Sequence, residues 1–204
     1  MRIIDTAMEK RKFFNTRMIA TTGILLAIEI VLQVLGNYIV IPGGFANLNF
    51  SLIIIALGAM MYGPIVGGFL GLVSGALTLF APSTISYFFS ISPLGTILTC
   101  LLKTTLAGVV AGFVANALKK KNDTLASILV SIIVPLINTG IFSLFCVLFF
   151  KSRLQEINPN NITAALFLGM IGFNFIIEII ITLIVVPSLY KIVLHVDTYK
   201  REHE

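Results

Sequence analysis

The feature that most limits how this chain can fold is a succession of six apolar stretches. They run approximately Met18–Leu35, Leu48–Tyr62, Pro64–Ala81, Leu94–Leu118, Leu125–Phe150 and Thr163–Val193. A bilayer core about 30 Å thick takes roughly 20 apolar residues per helix, fewer where the bilayer thins. The second and third stretches are the shortest, and only Gly63-Pro64 separates them, which predicts a tight turn between two helices. Composition points the same way. Of 204 residues, 57% are hydrophobic and 11% charged, with a mean hydropathy of +1.02; an ordinary soluble domain is about 25% charged. A water-soluble enzyme, a disordered regulator and a disulfide scaffold are excluded. The fold class expected is an all-α integral membrane protein with six transmembrane helices. Its divisions are a basic cytoplasmic segment at 1–17, a membrane domain at 18–193 and a cytoplasmic tail at 194–204.

Charge placement orients the spans. The N-terminal segment carries Arg2, Lys10, Arg11, Lys12 and Arg17. The connectors Gly36–Asn47 and Pro82–Pro93 contain no Lys or Arg. Lys119, Lys120 and Lys121 follow the fourth span, and Lys191, Lys200 and Arg201 lie at the C-terminal end; only Lys151 and Arg153 fall in the connector between the fifth and sixth. Six spans with both termini cytoplasmic gather the basic residues on one side, as the positive-inside rule asks. Five spans would strand either the lysine triplet or the basic tail. The net charge of +5 is thus a mark of topology rather than of a nucleic-acid surface. The basic start leads directly into further apolar runs, so it reads as a first span and not a removed signal peptide. Cys100 and Cys146 lie within apolar runs, where a thiol behaves as a small hydrophobe.

Inside the spans, small and polar residues are the informative ones. Gly63, Gly67, Gly71 and Gly75 recur every four residues, with Gly68 beside them. Smooth glycine faces let helices approach closely in lipid, so packing is the leading reading and a sliding surface for a partner the other. Ala20, Gly23 and Ala27 form a smaller version in span one, and the sequence leaves open which face they occupy. Only Glu29, Lys103 and Glu178 carry intramembrane charge. Such residues are costly and usually serve a site. With 1.5 Å per residue, Lys103 sits roughly 14 Å below the outer end of its helix and Glu29 about 16 Å from the inner end of its own; Glu178 is placed somewhat deeper toward the cytoplasm. A structural Lys–Glu pair and a polar ligand site both account for them.

Amides accompany the charges. Asn138 follows Pro135, which frees a mid-helix carbonyl, and Asn174 precedes Glu178 by one turn. Together with Lys103 they suggest one polar pocket in an apolar cavity. Thr104, Thr105 and Thr139 add hydroxyls that in helices commonly bond their own i−4 carbonyl. The connector Gly36–Asn47 (GNYIVIPGGFAN) and the connector Pro82–Pro93 (PSTISYFFSISP) are free of charge and aromatic-bearing. Each could dip into the interface; together they suggest a lid above a pocket. No nucleotide-binding G-x-x-x-x-G-K-[ST] loop and no H-E-x-x-H motif occurs, and both histidines, His195 and His203, lie in the polar tail. No catalytic residue, metal site or cofactor is expected.

The pattern resembles the substrate-binding S-components of energy-coupling factor (ECF) vitamin transporters. The stretches that carry the likeness are RMIATTGILLAIEIVL, ISPLGTILTCLLKTTLAGVVAG and FNFIIEIIITLIVVPSLYKIV. It covers most of the chain, from Arg17 to about Val193. The resemblance implies a multi-pass protein of the bacterial cell membrane. Its partners would be a small-molecule vitamin, the lipid bilayer, a transmembrane coupling subunit and two cytoplasmic ATPases. In the family an Ala-xxx-Ala motif in span one docks on the coupling subunit; here Ala20, Gly23 and Ala27 stand in that region, with Gly in place of one Ala. The vitamin binds beneath the first external loop, and the subunit topples to deliver it. By position, Asn37, Tyr38 and Asn47 then belong to the lid, and Lys103, Asn138, Asn174 and Glu178 to the substrate site. The Asn174-xxx-Glu178 segment with a cationic Lys103 looks most like the branches that take up pantothenate. Riboflavin, folate, pyridoxamine and a thiamin precursor are alternatives. A membrane scaffold without ligand is the competing class.

Overall fold

The computed structural model describes residues 16–38, 48–172 and 174–203 of the chain. Among them the secondary structure is entirely helical. The elements are α1 (Thr16–Tyr38), α2 (Ser51–Tyr62), α3 (Pro64–Leu79), α4 (Pro82–Phe89), α5 (Pro93–Leu118), α6 (Asp123–Phe149) and α7 (Lys151–Ile157). A short turn, Ile162–Ala164, then runs on as the π-helical stretch Ala165–Ile171 (together α8), and α9 spans Asn174–His203. Four of these, α1, α5, α6 and α9, are individually long and apolar enough to cross a membrane, and α3 with α4 makes a fifth if that bent pair is one span. The protein is an integral membrane protein on this evidence.

Three stretches depart from the sequence expectation. The second stretch folds as only 12 helical residues, Ser51–Tyr62, ten of them buried. A short helix that is hydrophobic all round belongs in the middle of a bundle, away from lipid. α2 is that helix: Leu52, Ile55, Ala56, Ala59 and Met60 form the centre of the main core, against which α1, α3, α5, α6 and α9 contribute. The expected loop Pro82–Pro93 is largely the helix α4, bent by 63° from α3. The expected sixth span from Thr163 is broken. Gly172 adopts φ +48° and donates to the Phe167 carbonyl, closing the π-helical stretch before α9 begins at Asn174. Glu178 is therefore only one turn into α9, roughly 6 Å from its start, and not deep toward the far end.

The Gly63-Pro64 turn forms as expected. Gly63 takes φ +81°, open to glycine at no steric cost, and Pro64 starts α3. The glycine stripe is a packing surface: α3 lies antiparallel along α5 with Gly67 against Gly108, Gly71 against Thr104, Gly75 against Cys100 and Pro64 against Gly112. A Cβ on Gly67 would stand 2.6 Å from the Gly108 carbonyl oxygen, so any side chain would force these helices apart. Lys119, just past α5, is more than a topology marker. Its ammonium donates to the Met60 carbonyl at 2.6 Å, near the end of α2, and lies 5.5 Å from the Tyr190 ring centroid. A cation on unsatisfied C-terminal carbonyls is favourable.

A second cluster, Phe88, Cys146, Phe150, Leu154, Ala165, Leu166 and Ile171, packs α4, the end of α6, α7 and α8 together. A polar cavity opens between this cluster and the main core.

Candidate functional site

The cavity is lined by Gln33 and Asn37 from α1, Leu48 and Asn49 ahead of α2, and Thr78, Ala81, Ser83, Thr84 and Phe88 around the α3–α4 bend. Thr96, Thr99, Cys100 and Lys103 come from α5, and Phe142 and Phe150 complete the wall. It offers about 60 Å³ to the centres of water molecules, room for several waters.

Its one cation is Lys103. Among the described residues no carboxylate oxygen lies within 4 Å of that ammonium, which instead stands 5.1 Å from the centroid of Phe142. The expected Lys–Glu pair does not form there. Phe142 is held in turn by Phe88, edge-on at 6.0 Å, and Phe88 packs edge-on against Phe150 at 5.0 Å. Edge-to-face packing of this kind fixes ring orientation, so the cation rests on a rigid aromatic platform.

The hydroxyls around it share a direction. Thr78 donates to Ser74 O at 2.9 Å, Thr96 to Ser92 O at 2.8 Å and Thr99 to Gly95 O at 2.6 Å. Each proton is committed to the residue's own helix, which leaves the oxygens as acceptors. Gln33, 4% exposed, ties three helices behind this wall. Its Oε1 accepts from Ser51 Oγ of α2 and, at 3.3 Å, from Ser74 Oγ of α3, and its Nε2 donates to Asn37 Oδ1 at 3.2 Å. The wall therefore combines one cationic donor with several fixed acceptor oxygens.

The residues named from sequence divide as follows. Asn37 and Lys103 line the cavity. Asn47 lies outside the described residues, as do Ile39–Phe45 of the proposed lid; Tyr38 ends α1, and nothing is said of its side chain. Asn138 is buried one turn before Phe142 but does not line the cavity, and Asn174 is buried at the start of α9, also off its wall. Glu178 accepts a hydrogen bond from the Asn49 backbone N–H at 3.0 Å and lines a separate, water-sized void with Leu48, Asn49 and Thr182. Glu29 is fully buried, and neither carboxyl oxygen has a hydrogen-bond partner. Of the expected lid aromatics, Phe88 is a wall residue. Gln33, Asn49 and the threonines of α5 went unnamed. The signal for Gln33 was its place one turn after Glu29 and one before Asn37 on a single face of α1.

On the opposite side of α1, Ala20, Gly23 and Ala27 are exposed, and a Cβ added to Gly23 would meet nothing within 4 Å. Gly23 also borders an apolar groove with Met18, Leu26, Ile65, Val66 and Phe69. The small residues face outward from the bundle.

A helical bundle with a polar, cation-bearing cavity and a smooth outer face defines a membrane-embedded solute-binding subunit. Over residues 17–190 the sequence matches the family described as ECF transporter, substrate-specific component, and the chain belongs to that family. No individually curated protein matches it. Members of the family are the substrate-binding subunits of transporters and not enzymes, and they work with an ECF membrane and ATPase module.

Proposed function

We propose that this subunit binds pantothenate and delivers it into the cell as part of an ECF importer in the bacterial plasma membrane. The observation that carries the reading is Lys103, a cavity cation without a carboxylate within 4 Å among the described residues. A cation in lipid needs a counter-charge, and a substrate carboxylate supplies one. The acceptor oxygens of Thr78, Thr96 and Thr99 then suit the rest of the ligand, which must offer O–H or N–H donors. Pantothenate has one carboxylate, two hydroxyls and an amide N–H along a slender chain. A flat ring system such as that of riboflavin would demand far more displacement of so narrow a cavity.

On this reading six membrane segments run with both termini cytoplasmic, α2 being the short central one. The coupling subunit docks on Ala20, Gly23 and Ala27, whose exposure supports that role, and two ATPases drive the toppling that turns the cavity inward. The test is calorimetric titration of the purified chain with pantothenate, riboflavin, folate, pyridoxamine and thiamin. Binding of pantothenate alone upholds the proposal. Binding of a cationic or flat aromatic vitamin in its place refutes it.

A further inference from the structure

Asn49 is 9% exposed and lines the cavity, and its Oδ1 has no hydrogen-bond partner among the described residues. A buried acceptor left alone is costly. The neighbouring polar groups are provided for: Gln33 serves Ser51, Ser74 and Asn37, and the threonines serve their own helices. The segment that carries Asn49 is also held from two sides. Its backbone N–H donates to Glu178 Oε1, a contact that spans 129 residues of sequence. On the other side the Leu48 carbonyl oxygen sits where a Cβ on Gly36 would lie, 2.5 Å away, so only glycine admits this approach. The start of α2 has no side-chain cap of its own at Phe50. Glu178 supplies a carboxylate from α9 at that end, where a negative charge is favoured by the helix dipole.

We infer that Asn49 is a specificity-determining contact whose carboxamide oxygen accepts a hydrogen bond from a donor on the bound substrate, and that Glu178 is the positioning residue that holds it there. This rests on the cavity being the substrate site. It gives Glu178 a different task from direct contact with the ligand. The carboxylate fixes the backbone at Asn49, and Asn49 reads the substrate. A site that presents an unpaired acceptor rejects analogues lacking the matching donor, because the acceptor then stays buried and unpaired.

The test is titration of the full chain in detergent with pantothenate, with its analogues lacking one or the other hydroxyl, and with the N-methylated amide. Asn49→Ala, and the near-isosteric Asn49→Leu as a second variant should the first fold poorly, are expected to bind pantothenate about 10- to 100-fold more weakly. That loss should vanish for the one analogue that lacks the bonded donor. Glu178→Gln keeps an acceptor for the Asn49 N–H and should stay within about threefold of wild type. Glu178→Ala should weaken binding about tenfold, and adding Asn49→Ala should cause less than the product of the two losses. Unchanged affinity in both Asn49 variants, or an equal loss across every analogue, overturns the inference. If wild type binds a different vitamin, the pantothenate proposal falls, and the same variants are scored on that vitamin. A loss there upholds the role of Asn49, unchanged binding overturns it, and a chain that binds no vitamin refutes both.

Discussion

Replacing Gln33 with leucine tests whether the wall behind the cavity is built as described. The substitution keeps the volume and removes the acceptor of two buried serines and the donor to Asn37 Oδ1. Ser74 has an escape, since a helical serine can turn to its own i−4 carbonyl. Ser51 has none of that kind, because it is the first residue of α2 and is fully buried. An orphaned buried hydroxyl costs about 1–3 kcal/mol, and each lost but replaceable hydrogen bond about 0.5–1.5 kcal/mol. The expected destabilisation is therefore about 2–4 kcal/mol, read from the unfolding midpoint of the purified protein in mild detergent. Adding Ser51→Ala should recover about 1–2 kcal/mol, since removing both partners of a buried hydrogen bond is far cheaper than removing one. A loss below about 0.5 kcal/mol, or a double variant no more stable than Gln33→Leu alone, would refute the network.

Gly23→Leu should leave vitamin affinity within about twofold of wild type, since a side chain there meets nothing within 4 Å, yet abolish uptake in cells that express the whole transporter; normal uptake would remove this face from docking. Burial holds the Lys119 ammonium below the usual lysine range, with Asp123 opposing the effect. A lysine whose folded pKa is depressed binds its proton less readily than in the unfolded chain, so stability should rise with pH from the depressed value up to about 10.4. Lys119→Met should flatten that rise while losing the bond to Met60 O, and a pH profile identical to wild type would contradict the assignment.

Much of the fold was legible because lipid makes strong demands on sequence. The long apolar runs gave α1, α5 and α6 nearly to the residue, and the four-residue glycine period marked the α3–α5 contact. What was not legible has physical reasons. Hydropathy cannot distinguish a helix facing lipid from one enclosed by protein, and α2 is equally apolar on every side. The break at Gly172 depends on one backbone conformation, φ +48°, within a run whose side chains stay apolar. For the site, charge was a reliable pointer to Lys103, whereas Asn138 and Asn174 were grouped with it on chemistry alone. Which face of a helix meets a cavity depends on tertiary packing, and their faces do not. Gln33 and Asn49 are uncharged and sit among residues of similar polarity, so nothing in composition set them apart. Asn49 gains its place from Glu178, a contact no local pattern encodes.

The central claim is that Lys103 provides the counter-charge for an anionic vitamin. Titration of pantothenate into wild type and Lys103→Ala measures it directly. Removing one partner of a buried charge pair costs about 2–5 kcal/mol, so the account predicts a loss of affinity of at least about 30-fold in the variant, with neutral pantothenol binding both proteins alike. Equal pantothenate affinity in the two proteins would contradict it.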